Sequence, residues 1–490
     1  MNLASWLDRR AALTPDQAAL VYDDAAISYA ELARQAAATA GWLKRTLGVG
    51  RGDRVALLAL NRPEYLTLLF GCARLGAMLV PINWRLAPPE QLFILRDAGV
   101  RALIREPGCD ALVQQLAETV PDCTQIELPL TLGDVAEPDD DAVGYDAPLL
   151  IVYTSGTTGQ PKGAVLTQAA LQWNAVNSIA AHDLTSRDRV LTPIPLFHVG
   201  GLNMQTVPAL HAGATVHLQR RFDPGATLAT LRDARITVSV LVPAQLAAIL
   251  EHPDWPSADL SNLRVLTTGA SVVPPRLIEP WLDRGVAVIN IYGATETAPI
   301  ATALSPADAR RKLGSCGKAA LHCAIRVVDD AGRAVAAGAR GEVLVQGPNL
   351  LKEYWRQPAA TSEALVDGWF HTGDIGHLDD EGFLYIDDRK KEVIISGGEN
   401  IYPAEVEAAL VGWPGIAEAA VVPRAHPKWG EVPVAVVVRR PGADLTADGV
   451  LQAFEGRLAR YKQPRDVVFV DALPRNAMGK IQKFKLREMI

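Results

Sequence analysis

Residues 153 to 163 read Tyr-Thr-Ser-Gly-Thr-Thr-Gly-Gln-Pro-Lys-Gly and follow an apolar run, Leu149 to Val152. Glycine at 156, 159 and 163 lets backbone N–H groups approach an anion closely, the hydroxyls of Thr154, Ser155, Thr157 and Thr158 add donors, and Lys162 adds a movable positive charge. That inventory suits phosphate, and a triphosphate best. The Walker A pattern needs Gly, then Lys, then Ser or Thr, whereas Pro161 precedes Lys162 here and Gly163 follows it. A P-loop kinase or ATPase is therefore disfavoured.

The elements that must hold this loop alternate between strand and helix. Ser28-Tyr29-Ala30-Glu31 reads as a capping box opening an alanine-rich helix, and Arg54 to Leu60 as an apolar strand, with Pro63 placed to begin the next helix. Apolar runs at Arg189 to Pro195, Ile236 to Val242, Arg264 to Thr268 and Val286 to Tyr292 alternate with helical patterns. This argues for α/β layering with much parallel sheet, whose strand ends are where open α/β folds place ligands. Gly48-Val49-Gly50-Arg51-Gly52 precedes a strand instead of following one, so it reads as a turn and not a dinucleotide fingerprint. After about residue 388 the pattern becomes a compact alternation. It has a strand at Val393 to Ser396, a helix from Pro403 stopped near Gly412, strands around Ala419 and Val434, and a helix ending before Pro464. That is the pattern of a separate small α+β domain.

Composition narrows the classes. The 490 residues are 49% hydrophobic, enough for an extensive core and more than one domain. The net charge of -7 argues against a nucleic-acid partner, because binding a phosphate backbone needs a concentrated basic surface. The five cysteines, Cys72, Cys109, Cys123, Cys316 and Cys323, show no C-x-x-C pair and read as buried thiols. The start lacks a charged and then apolar leader, and no stretch has the length to cross a bilayer, so a cytoplasmic protein is expected.

Further motifs follow the loop in order: Pro195-Leu196-Phe197-His198-Val199-Gly200-Gly201, Tyr292-Gly293-Ala294-Thr295-Glu296-Thr297, and Thr372-Gly373-Asp374. After these come Asp388-Arg389-Lys390-Lys391, Ile395-Ser396-Gly397-Gly398-Glu399-Asn400 and Pro474-Arg475-Asn476-Ala477-Met478-Gly479-Lys480. Together they resemble, over nearly the whole chain, the AMP-forming adenylating enzymes (the ANL superfamily): acyl- and aryl-CoA ligases, adenylation domains of peptide synthetases, and beetle luciferases. The resemblance implies an α/β fold with a large N-terminal α/β domain of layered sheets and helices, residues 1–388. A hinge at 389–391 and a small mobile C-terminal α+β domain at 392–490 would complete it.

The resemblance also implies roles. ATP would be gripped by Thr154, Ser155, Gly156, Thr157, Thr158, Gly159 and Lys162, with Gly269, Ala270 and Ser271 beside it. Tyr292 would stack on adenine, Gly293, Ala294 and Thr295 would meet AMP, and Asp374 and Arg389 would hold the ribose or phosphate. Glu296 and Thr158 would share Mg²⁺, which takes one or two protein oxygens and keeps its contacts with phosphate. Lys480 is the family's catalytic lysine, His198 an aromatic gate between the ATP and acyl sites, and Lys391 the hinge. Gly397, Gly398 and Trp429 would border the path of coenzyme A, while Gln463 stands where some relatives carry a basic residue.

The chemistry so implied is activation of a carboxylic acid by ATP, through an acyl-adenylate and pyrophosphate, to acyl-CoA and AMP. The segments His198 to Asn203, Gly269 to Val273 and Gly293 to Ile300 offer no evident cation for a second carboxylate, so the acid should carry an apolar tail. Their wording resembles bacterial feruloyl-CoA synthetases and medium- or long-chain fatty acyl-CoA synthetases, leaving ferulate-like hydroxycinnamates and fatty acids both open. A stand-alone adenylation enzyme loading a carrier protein is the alternative. The partners expected are the small-molecule acid, ATP and coenzyme A, and a homodimer is compatible with the sequence.

Overall fold

The structure, a computed structural model, describes residues 2–490 except 109, 121, 133–141, 156–160, 270–272, 274, 330, 390–393, 402, 411, 475–480 and 482. Of residues 110, 111, 113, 155, 387–389, 400, 404, 408 and 484 it describes the backbone alone. The chain divides into two compact units. The larger comprises Met1–Trp84, Leu95–Val152 and Gly163–Asp388, and the smaller Arg85–Ile94, Tyr153–Lys162 and Arg389–Ile490.

Among the described residues the larger unit is built on three sheets. The nine-stranded one runs Lys318–Ala319, Thr302–Ala303, Ala287–Tyr292, Val265–Gly269, Val238–Val240, Arg189–Thr192, Thr215–Leu218, Ala18–Tyr22, Ala25–Ser28. Its middle strands are parallel, with Gly269 beside Ile291 and Val238 beside both Val190 and Val265. The seven-stranded sheet runs Glu353–Tyr354, Pro161–Thr167, Pro148–Ser155, Met78–Pro81, Arg54–Leu58, Ala102–Arg105, Thr124–Glu127. A five-stranded sheet gathers Ala324–Val328, Gly341–Gln346, Trp369–Leu378, Leu365–Val366 and Leu384–Arg389. Strands covered on both faces must be apolar throughout, which is why Leu149, Leu150 and Ile151 are fully buried.

The helix Tyr29–Leu47 begins where expected, with Ser28 Oγ accepting from the Glu31 N–H at 3.2 Å, and ends at Gly48 in the left-handed region. Only half of the capping box forms there: the Glu31 carboxylate turns along the helix to Arg34 and Gln35. The Ser28 backbone instead belongs to a strand paired with Ala18. Strands are shorter than the apolar runs suggested, Arg189–Thr192 and Val238–Val240 being the clearest cases. Beyond the end of Arg189–Thr192, Ile194 and Leu196 stay buried in a loop, so hydrophobicity continues past the strand.

In the smaller unit Glu399–Ile401, Ile394–Ser396, Gly430–Arg439 and Ile416–His426 form an antiparallel sheet, to which Asp466–Phe469 adds in parallel. Its core gathers Ile394, Ile401, Val406, Leu410, Val421, Val437 and Phe454. The helix expected to run to Pro464 is a short one, Ala447–Leu451, with a 3-10 turn to Phe454. Gly456 then adopts φ +68, and the Gln463 amide donates to the carbonyls of Phe454 (3.2 Å) and Leu458 (2.9 Å). No helix of the described residues is long and apolar enough to cross a membrane.

Candidate active site

The hydroxyl-rich loop is carried between strands Pro148–Ser155 and Pro161–Thr167. Thr154 Oγ1 donates to the Lys162 carbonyl at 3.4 Å, which brings the two flanks of the loop together. Gly156, Thr157, Thr158, Gly159 and the Ser155 side chain lie outside the described residues, as do Ala270 and Ser271.

The second motif leaves the end of strand Ala287–Tyr292 and turns through the 3-10 segment Thr295–Thr297. Gly293 is obligatory: a Cβ there would stand 1.6 Å from the Pro299 carbonyl oxygen. Gly269, on the adjacent strand, would bring a Cβ to 2.6 Å from the Ile291 oxygen. Backbone is thus packed on backbone at two neighbouring strand ends, leaving the Tyr292 and Thr295 side chains half-buried. The Tyr292 hydroxyl donates to Asp374 Oδ2 at 2.8 Å, across 82 positions of sequence. Asp374 is 6% exposed, and its N–H donates to Thr372 Oγ1 at 3.0 Å, so Thr372-Gly373-Asp374 sets its own carboxylate beside the phenol. An aromatic ring and a carboxylate side by side are what a nucleoside needs for its base and its paired hydroxyls.

Glu296 follows, 9% exposed. Its Oε1 accepts from the Tyr354 hydroxyl at 2.8 Å, and its backbone carbonyl accepts from the Leu351 N–H at 2.7 Å. Just beyond, Ala298 takes φ +63, which costs an alanine about 1 kcal/mol or more and persists only where its surroundings impose it. Asn349, wholly buried, imposes it: its Nδ2 donates to the carbonyls of Thr297 at 2.6 Å and Ile300 at 2.7 Å, on either side of Ala298. Asn174 completes the clasp, its Oδ1 accepting from the Ile300 N–H at 3.0 Å. Asn349, Tyr354 and Asn174 were missed in the sequence because no motif or spacing marks them.

As a hard oxygen donor, the Glu296 carboxylate fits Mg²⁺. Among the described residues no group of three or more His, Cys, Asp and Glu forms a metal cage. A single carboxylate of this kind is what Mg²⁺ takes alongside phosphate oxygens.

His198 stands at the entrance of the short turn Val199–Gly201, half-buried, its ring 4.4 Å from that of Phe197 and tilted 47°. A Cβ at Gly201 would meet the Pro195 oxygen at 2.0 Å, so this loop too folds back on itself. The turn runs into a π-helical segment, Leu202–Thr206, a form frequent at functional sites.

In the smaller unit Gly397 and Trp429 come together. The Gly397 N–H donates to the Trp429 carbonyl at 2.8 Å, φ is +59, and a Cβ would lie 2.7 Å from the indole. Gly398, at φ +84, completes a turn that side chains disfavour. Lys480, Lys391 and the Arg389 side chain lie outside the described residues. The same unit holds an unexpected cluster in which Lys462, 3% exposed, donates to Glu90 at 2.7 Å and to Glu405 at 2.5 Å. Burial pushes the Glu405 carboxyl up to about 7, the Glu90 charge adding to it against the pull of Lys462. Burial opposes the Lys462 charge too, but the two carboxylates outweigh it and raise its pKa.

This geometry is matched by known proteins. The model of the AMP-binding enzyme family fits residues 7–355, and that of the AMP-binding enzyme C-terminal domain fits residues 405–480. The chain belongs to the AMP-binding enzymes, and within them to the AMP-forming acyl- and aryl-CoA synthetases. An indoleacetate–CoA ligase of Aromatoleum aromaticum is 51% identical, covering 100% of this chain and 98% of the relative. A feruloyl-CoA synthase of Amycolatopsis is 44% identical over 99% of this chain and 98% of its own. Among solved structures, an o-succinylbenzoate CoA synthetase of Bacillus subtilis bound to a product analogue superposes with TM-score 0.91 at 35% identity, covering 99% of this chain and 98% of that one. The chain is thus an acid–thiol ligase using ATP and coenzyme A, with the adenylating-enzyme fold.

Proposed function

We propose that the protein joins an aryl-substituted carboxylic acid, a hydroxycinnamate such as ferulate or an arylacetate, to coenzyme A in two half-reactions. The observation that carries the two-step reading is the pairing of Tyr292 with Asp374 at 2.8 Å, next to the buried Glu296. It is the layout of a nucleotide site at a strand end, in a chain that aligns end to end with CoA ligases. The aryl acid is supported by the full-length likeness to an indoleacetate–CoA ligase and a feruloyl-CoA synthase, and fatty acids come second.

In the first half-reaction a carboxylate oxygen attacks the α-phosphorus of ATP. A P–O bond forms, the bond to pyrophosphate breaks, and an acyl-adenylate results. Tyr292 stacks on the base, Asp374 accepts from the ribose hydroxyls, and Thr154 to Thr158 with Lys162 hold the phosphates. Mg²⁺, when bound at Glu296 and Thr158, supplies positive charge against the departing phosphates. Lys480 reaches the carboxylate and α-phosphate oxygens as charge shifts between them. In the second half-reaction a thiol attacks the acyl carbon and AMP leaves. Rotation about Lys391 withdraws Lys480 and brings Gly397, Gly398 and Trp429 to the thiol's path, with His198 gating the acyl side.

The test is acid-dependent pyrophosphate and AMP release over hydroxycinnamates, arylacetates, benzoates and fatty acids, with free coenzyme A and a carrier protein as rival acceptors. Expected are AMP, not ADP, and a preference for aryl acids with free coenzyme A. ADP as product overturns the reaction, and a flat response to aryl acids overturns the substrate. Lys480→Ala should slow adenylation at least ~100-fold. Lys391→Pro should spare adenylation and suppress thioester formation, and equal loss of both would remove the hinge role.

A further inference from the structure

The segment Asn349 to Trp355 ties two parts of the site that lie far apart in sequence. At one end it is pinned to the strand returning from the hydroxyl-rich loop: Glu353 pairs with Val165 and Tyr354 with Ala164, and the N–H groups of Lys352 and Trp355 donate to Val165 (2.8 Å) and Gly163 (2.7 Å). At the other it grips the turn that carries Glu296, through Asn349, the Leu351 N–H and the Tyr354 hydroxyl. Tyr354 is itself fixed, its N–H donating to Thr361 Oγ1 at 2.9 Å and its carbonyl accepting from Gln357 at 3.0 Å. Its phenol therefore comes from a short rigid strand and has little freedom to follow the carboxylate.

We propose that Tyr354 is a positioning residue for cation binding: by holding Oε1 of Glu296 it aims that carboxylate at the divalent ion that accompanies ATP. This rests on the assignment of Glu296 as a cation ligand under the function proposed above. The donor type matters. A lysine or arginine at this point would bring a charge that competes with the ion, whereas a hydroxyl orients the carboxylate without one. Tyr354 touches neither ATP nor acid in this role and acts only through Glu296.

The experiment is Mn²⁺ binding to the whole protein in the presence of α,β-methylene-ATP, read by electron paramagnetic resonance, for wild type, Tyr354→Phe, Glu296→Gln and the double variant. Tyr354→Phe should weaken Mn²⁺ binding about 10-fold or more, the usual cost of removing a group that orients a metal ligand. It should raise the Mg²⁺ needed for half-maximal pyrophosphate release to match, with KM for the acid and thiolysis of preformed acyl-adenylate unchanged. In the Glu296→Gln background the same change should add nothing. If Glu296→Gln weakens Mn²⁺ binding while Tyr354→Phe titrates like wild type, the positioning role is overturned and the Glu296 assignment survives. If Glu296→Gln also binds like wild type, both fall. A uniform loss of rate at every Mg²⁺ concentration, with Mn²⁺ affinity intact, marks a merely structural tyrosine and overturns the proposal.

Discussion

Glu296 in the larger unit and Glu405 in the smaller are both nearly closed off from water, at 9% and 7% exposure, yet their partners differ in kind. Glu296 Oε1 accepts from the Tyr354 phenol at 2.8 Å, a neutral donor that orients the carboxylate. Glu405 shares one lysine with Glu90, and its Oε2 is buried without a hydrogen-bond partner among the described residues. A buried charge is costly unless it is paired. At Lys462 the molecule answers that cost internally, with two carboxylates sharing one ammonium. In the function proposed, the Lys462 cluster is scaffold and Glu296 belongs to the site. The two carboxylates are buried to a similar depth, so depth alone does not tell a site from a scaffold.

The largest effect should separate them outright. Glu296→Gln keeps the shape and removes the charge, and should cut acid-dependent pyrophosphate release about 100-fold, the scale of losing an electrostatic group aimed at the transferring phosphates. Glu405→Gln, measured in the same assay, should stay near wild type. Equal losses in the two variants would erase the contrast.

A smaller effect should appear in stability at Glu405 alone. Its folded pKa, about 7, lies above the ordinary value of 4.5. Between those values the folded chain therefore holds the proton more tightly than the unfolded one. The stability this contributes is present below the lower value and lost as pH rises through the upper. Glu405→Gln removes that loss. Its stability relative to wild type should climb between pH 4.5 and 7 by about 2–3 kcal/mol, a little less than the full shift because the carboxyl is half-titrated at each end of that range, while the unpaired N–H of the new amide lowers the variant equally at every pH. Urea midpoints across this range are the measurement, and a pH-independent difference would place Glu405 outside the titration.

Next in size is the clasp behind Glu296. Asn349→Ala leaves the carbonyls of Thr297 and Ile300 without their donor while Ala298 is still asked to hold φ +63. A cost of about 1–2 kcal/mol is expected. The Mg²⁺ dependence should shift with it, since Glu296 sits at the mouth of the loosened turn. Lost stability with an unshifted Mg²⁺ requirement would show that the Leu351 N–H on the Glu296 backbone carbonyl and the Tyr354 hydroxyl on its carboxylate suffice to place Glu296.

What the sequence disclosed follows the same division. Gly293 could be placed at a strand end from the apolar run to Tyr292, and its need for glycine is a backbone contact that residue type announces. Asp374 and Tyr292 were named separately, and the structure adds that they touch. Tyr354 and Asn349 stayed invisible because nothing local distinguishes a tyrosine that reaches across 58 positions from one on a surface. Apolar runs overstated Arg189–Thr192 and Val238–Val240, since a buried loop is as hydrophobic as the strand it leaves. The Lys462 cluster was equally silent, because its carboxylates stand 372 and 57 positions away.

The smallest effect should come from the other tyrosine of the site and sharpens the comparison most finely. Tyr292 also donates its hydroxyl to a buried carboxylate, Asp374, at the same 2.8 Å as Tyr354 to Glu296. If hydrogen bonding were the whole of its role, Tyr292→Phe and Tyr354→Phe would behave alike. In the function proposed, however, the Tyr292 ring works by stacking and Asp374 by accepting from ribose, which in the complex supplies the donors that the phenol loses. Tyr292→Phe should therefore raise KM for ATP less than about 5-fold, under 1 kcal/mol, and leave the Mg²⁺ requirement untouched. Tyr292→Ala, which removes the stacking surface, should cost distinctly more. A Mg²⁺ shift in Tyr292→Phe would mean that the two phenols belong to one network, and the separation between a nucleoside side and a cation side of the site would have to be given up.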